Sequence, residues 1–277
     1  MKNRTLLIRT LTGAIFVALI VGSILLGRWW FAGIIFIATL YSLQEFFRMT
    51  LSKPSDHIHW DGLIYGGFAY GALSLITLLE RPPIGLLLAA LLLMVPLLFI
   101  ITLLYPNSFR SFQTIAHTVL AVFYIAIPMA LLNFLSDPFL IPVEKPSGFL
   151  LGFFSLVWIN DTLAYLVGSY FGKRKLLERI SPLKTWEGTL GGLIFTLLAS
   201  VAASRILPGP GLLFWLIVGF LIPLSGTLGD LSESFIKRTF SVKDSGVLLP
   251  GHGGVLDRFD AVLFAAPVVF FFLLAFI

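Results

Sequence analysis

Long apolar runs, broken by short polar segments, set the pattern of the chain. Nine runs can be marked, at about 10–26, 29–47, 62–79, 84–104, 113–135, 147–171, 187–207, 211–239 and 255–277. Each is close to the ~20 apolar residues that a helix needs to cross the hydrocarbon core of a bilayer. The runs do not alternate apolar with polar residues, as the strands of a transmembrane barrel would. The pattern therefore predicts an all-α, polytopic integral membrane protein with about nine transmembrane helices. Composition agrees: 58% hydrophobic residues, 12% charged residues and a mean hydropathy of +0.98 exclude an ordinary soluble domain, which carries about 25% charge. There is no cysteine, so disulfides and thiolate metal centres are excluded.

Charge then orients the pattern. The N-terminus and the segments after the second, fourth, sixth and eighth runs hold 15 of the 19 Lys and Arg residues. The other segments hold only Arg28, Arg81, Lys145 and Arg205. Cytoplasmic loops carry the basic excess, so the N-terminus is expected in the cytoplasm and the C-terminus outside, in a multi-pass protein of the inner membrane. The first run follows Lys2, Arg4 and Arg9 but ends in S-I-L-L-G without a small-x-small cleavage site, and is read as an uncleaved first helix.

Residues 1–135 carry little chemistry and read as a scaffold of membrane helices with room for oligomer contacts. Glu45 and Arg48 read as a surface i,i+3 pair, and His57 and His59 as part of a solvated loop. Pro96 and Pro128 are expected to kink their helices. No internal repeat is visible, which weighs against an inverted-repeat transporter.

Residues 136–277 change character and read as the catalytic region. Asn160 and Asp161 lie well inside an apolar run, and ionisable residues so placed are costly and mark function by default. The stretch G-S-Y-F-G-K-R-K at 168–175 lacks the spacing and the Ser or Thr of a phosphate-binding P-loop. Taken alone, Lys173, Arg174 and Lys175 read as topology signals and headgroup contacts. In S-P-L-K-T-W-E-G (181–188), Thr185 can cap the next helix and Glu187 suits its N-terminus. Ser181, Lys184 and Thr185 around a helix N-terminus equally suit an anion, and the two readings stand level.

The densest polar stretch runs from Ser234 to Asp260, with Lys237, Arg238, Lys243 and Arg258 among Asp244, Asp257 and Asp260. Asp230, Glu233, Ser234 and Lys237 fall at i, i+3, i+4 and i+7, one helical face. Asp257 and Asp260 are three apart at the start of the last run. If the two faces meet, three carboxylates converge and imply a hard cation such as Mg²⁺. A buried salt-bridge network with Lys237 and Arg258 is the alternative. P-G-H-G-G (250–254) is a turn by composition, with His252 inside it.

Ser234, Lys237-Arg238, Lys243-Asp244, His252-Gly253-Gly254, Asp257-Arg258 and Asp260 together resemble the signature of the phosphatidate cytidylyltransferases. Asn160-Asp161, Gly172-Lys173 and S-P-L-K-T-W-E-G are similar to that family's other cytoplasmic-side segments. The resemblance implies that CTP and phosphatidic acid react to give CDP-diacylglycerol and pyrophosphate, with Mg²⁺ as cofactor and a second cation left open. It casts Asp230, Asp257 and Asp260 as metal ligands, and Asp230, Asp257 and Lys237 as catalytic. Lys237, Arg238, Lys243 and Arg258 are expected to contact phosphates, and Ser181, Lys184 and Thr185 to form a second phosphate or nucleotide contact. Asn160 and Asp161 are expected to face the same cavity. Lys173, Ser234 and His252 complete the substrate-binding set. The expected partners are CTP, phosphatidic acid and the bilayer, with no nucleic acid and a homodimer left open. Two rivals are a CTP-dependent polyprenol- or dolichol-type lipid kinase and an ion-coupled transporter.

Overall fold

A computed structural model of the chain describes residues 2–51, 60–104, 112–138, 140–141, 146–207, 209–248, 251 and 253–276. His57, His59, Lys145 and His252 lie outside the described residues. The protein is a helical, multi-pass membrane protein. Its helices are α1 (Lys2–Leu26), α2 (Arg28–Thr50), α3 (Trp60–Leu78), α4 (Ile84–Leu104), α5 (Phe112–Ala121), α6 (Ile127–Phe134), α7 (Pro146–Phe171), α8 (Trp186–Ile206), α9 (Leu212–Thr239) and α10 (Leu256–Phe276). A π turn, Val122–Ala126, joins α5 to α6 as one continuous helix. It covers Tyr124, the residue four before Pro128. The proline ring clashes with that carbonyl and offers it no amide, so the helix widens there.

Each of the nine apolar runs falls on a helix. Among the described residues, seven helices are long and apolar enough to cross a membrane; the apolar part of α1, Thr10–Leu26, is shorter, and α3 falls outside the seven. A short antiparallel hairpin between α7 and α8, β1 (Lys175–Leu177) and β2 (Ser181–Thr185), is an addition to the expected all-α fold.

The chain forms two compact units. The first contains Met1–Asn133 and Asp244–Asp257, the second Phe134–Lys243 and Arg258–Ile277. The loop before α10 thus belongs with the N-terminal helices, although some 110 residues separate them in sequence.

In the first unit, α2 and α3 lie so close that a Cβ on Gly62 or Gly66 would run into Phe47 or Leu43. Tyr70 donates its hydroxyl to the Ala32 carbonyl at 2.8 Å, and Asn133 donates to Ser74 Oγ at 2.9 Å. Buried polar groups in a membrane helix need such partners because lipid offers none.

In the second unit, small residues again set the helix spacing. A Cβ on Gly188 would meet the Ala164 carbonyl at 2.7 Å, and one on Gly192 would meet Asn160 Oδ1 at 2.6 Å. Gly219 of α9 lies against Ser200 of α8, and Gly229 of α9 against the Asp260 carbonyl of α10. Apolar matching alone gives little drive between helices in lipid, so close backbone approach supplies the packing. This brings the polar positions of α7, α8, α9 and α10 within reach of one another.

Candidate active site

Four elements of the second unit contribute to one charged cluster. Asn160 and Asp161 come from α7, Lys184 from β2, Asp230 from α9, and Arg258 and Asp260 from α10. Asn160 is buried and donates its amide to Asp161 Oδ1 at 3.2 Å. Lys184 pairs with Asp230 across 2.5 Å. Ser234 Oγ lies 3.5 Å from Asp230 Oδ1, at the long limit of a hydrogen bond. Asp260 Oδ1 accepts the backbone N–H of Ala261 at 2.7 Å. The negative charges of Asp161 and Asp230 both act on Asp260, while Lys184 and Arg258 act on Asp161 from the opposite sign. Carboxylates beside fixed cations are the side chains that metal-assisted phosphoryl transfer draws on.

The hairpin explains how Lys184 reaches this cluster. Thr185 ends β2 and caps α8, one of the two readings its sequence left level, accepting the Gly188 N–H on its Oγ1 at 3.2 Å. Glu187, in the first turn of α8, accepts the backbone N–H of Lys173 at 3.0 Å and of Arg174 at 3.2 Å. The chain leaving α7 is thereby tied to the start of α8. Ser181 takes part in the hairpin pairing, opposite Leu177. The side chains of Lys173 and Lys243 are exposed. Arg238 donates to the Ile180 and Val242 carbonyls, each at 3.4 Å, and so links the end of α9 to the hairpin. Lys237 pairs with the fully buried Glu233 at 2.7 Å, which fixes its ammonium on the α9 face where the helical spacing puts it.

Asp257 belongs to the first unit. Its Oδ2 accepts the backbone N–H of Ser245 at 3.0 Å and of Gly254 at 2.8 Å. It thus closes the loop ahead of α10. Among the described residues, no three His, Cys, Asp or Glu side chains are grouped so as to hold a metal ion; Asp257 meets loop amides, while Asp230 meets Lys184 and Ser234.

Glu45 corrects the sequence reading. It is not part of a surface pair but is 5% exposed, and its carboxylate accepts hydrogen bonds from Ser245 Oγ, the Val255 N–H and the Leu256 N–H. A signal was present, since an acid inside an apolar run is costly at any position. Its partners, 200 residues and more away, carried no mark in the sequence.

Carboxylates and fixed cations gathered on membrane helices are the equipment of a membrane-embedded enzyme that works on phosphate groups. The chain belongs to the cytidylyltransferase family, whose sequence profile matches residues 7–276. It is similar to the phosphatidate cytidylyltransferase of Synechocystis sp., with 31% identity over 95% of each chain. It is also similar to that of Staphylococcus haemolyticus, with 34% identity over 95% of this chain and 96% of the relative. Its match to the Bacillus subtilis phosphatidate cytidylyltransferase reaches 46% identity but covers 44% of this chain and 45% of the relative.

Proposed function

We propose that this protein is a phosphatidate cytidylyltransferase of the inner membrane, acting at the cytoplasmic face. It transfers CMP from CTP to phosphatidic acid, giving CDP-diacylglycerol and pyrophosphate. The observation that carries this reading is the cluster of Asp161, Asp230 and Asp260 with Lys184 and Arg258 in one compact unit. A phosphate oxygen of the lipid attacks the α-phosphorus of CTP, a new P–O bond forms, and the bond to the β-phosphate breaks to release pyrophosphate. The nucleophile is already anionic, so no strong base is needed. The barrier is charge repulsion and alignment, which fixed cations lower.

The donor set suits a hard divalent cation, since it offers only oxygen ligands and more carboxylates than neighbouring cations. Asp230 and Asp260 would hold Mg²⁺. Asp161 would be the third, since Asp257 accepts the loop amides before α10. When bound, the ion supplies charge neutralisation at the triphosphate. Lys184 and Arg258 would hold phosphate oxygens, with Asn160 orienting Asp161.

The test is direct. Purified protein is given labelled CTP and phosphatidic acid, with and without Mg²⁺, and the products are identified. CDP-diacylglycerol and pyrophosphate formed only with Mg²⁺ is the expected result. Release of CDP with a phosphorylated lipid would instead establish a lipid kinase, and ion flux in liposomes without nucleotide would establish a transporter.

A further inference from the structure

We infer that Glu45 is a positioning residue for this reaction, holding the loop Ser245–Leu256 and the start of α10 in the shape that turnover requires. The inference rests on the proposed function for its activity readout, but its geometry stands apart from it. The signature residues run through this loop, from Lys243-Asp244 at one end to Asp257 at the other. Its backbone terminates on two carboxylates. Asp257 Oδ2 takes the N–H groups of Ser245 and Gly254, and Glu45 takes the next two, Val255 at 3.0 Å on Oε1 and Leu256 at 2.9 Å on Oε2. Ser245 Oγ donates to the same Glu45 Oε2 at 3.1 Å, so one side chain grips both ends of the loop.

The first N–H groups of a helix have no partner within it, and the positive end of the helix dipole favours an anion there. Glu45 thus caps α10 from a helix some 210 residues away in sequence. A buried carboxylate is costly unless hydrogen bonds and opposite partial charge offset the burial. Those donors come from this loop alone among the hydrogen bonds described for Glu45, so residue and loop depend on each other. The loop is shaped to admit it: a Cβ on Gly246 or Gly254 would collide with the Glu45 carboxylate.

The experiment compares E45A, E45Q, G246A and the double variant E45A/G246A in detergent. It measures turnover with CTP and phosphatidic acid, together with amide hydrogen exchange resolved by peptide. E45A should lose at least tenfold in kcat with a smaller change in KM for either substrate. E45Q, which keeps one acceptor oxygen, should recover part of that loss. Exchange in the peptide spanning 245–256 should speed up at least tenfold while α7 and α8 stay protected. G246A should mimic E45A, and in the E45A background it should cost less than twofold more, since the atoms nearest its new methyl all belong to Glu45 and are already gone. Parent-like turnover in E45A, unchanged exchange in 245–256, or faster exchange throughout α7–α9 would each overturn the inference. If the parent protein itself transfers no CMP, the proposed function fails while the exchange measurement still decides whether Glu45 holds the loop.

Discussion

Glu45 and Asp257 in the first unit, and Asp161, Asp230 and Asp260 in the second, are carboxylates attached to membrane helices, yet they are treated in opposite ways. Glu45 and Asp257 receive backbone amides and a hydroxyl at 2.8–3.1 Å, so their charge is spent on fixing a loop and a helix start. In the second unit the acids act on one another's charge, and what opposes them is Lys184, Arg258 and a few weaker donors. A group whose charge is already balanced by backbone donors makes structure. A group left facing like charges makes a site that a cation can complete.

This contrast can be broken most sharply at Asp260. Asp260→Asn should reduce CMP transfer by about a hundredfold or more, the scale of removing one electrostatic contact from a transition state. It should leave the Tm in detergent unchanged or raised, because a neutral amide is easier to bury than a carboxyl group beside other acids. A fall in Tm together with near-normal turnover would place Asp260 among the structural acids instead. Asp257→Ala should do the reverse. It removes the oxygen that accepts the Ser245 and Gly254 N–H groups, and leaving a buried donor unmet costs about 1–3 kcal/mol. The expected result is a lowered melting temperature with faster exchange at residues 245 and 254; an undisturbed loop with abolished Mg²⁺ dependence would return Asp257 to the metal set. The smallest effect belongs to Thr185→Ala, which removes the cap of α8 and should cost about 1 kcal/mol of stability. Because the same residue ends the strand that delivers Lys184, its KM for CTP should rise modestly. A variant with unaltered stability would mean that the hairpin, not the cap, sets the start of α8.

Much of the architecture was legible from the order of residues. Apolar runs about as long as the bilayer is thick have few options other than helices, because lipid leaves no backbone donor unpaired without large cost. The helical spacing of Asp230, Ser234 and Lys237 likewise anticipates the contacts seen along α9, Ser234 with Asp230 and Lys237 with Glu233. Thr185 as a helix cap was one of two readings that its place before W-E-G left level, and the structure shows the cap. The hairpin of residues 175–185 was not foreseen: its strands are three and five residues long, and β2 contains Pro182, which argues against a strand by local preference.

What the sequence determined by itself is the class of protein, its helices and the inventory of charged groups, because period, length and cost of burial act locally along the chain. What only the tertiary structure decided is which acid does what. Asp257 and Asp260 are three residues apart and alike in chemistry, but one meets backbone amides of its own loop and the other meets the charges of Asp161 and Asp230. Glu45 acquired its task from residues 200 positions away. The free energy of a carboxylate depends on the donors and charges within a few ångströms of it, and those neighbours are chosen by packing, not by sequence proximity.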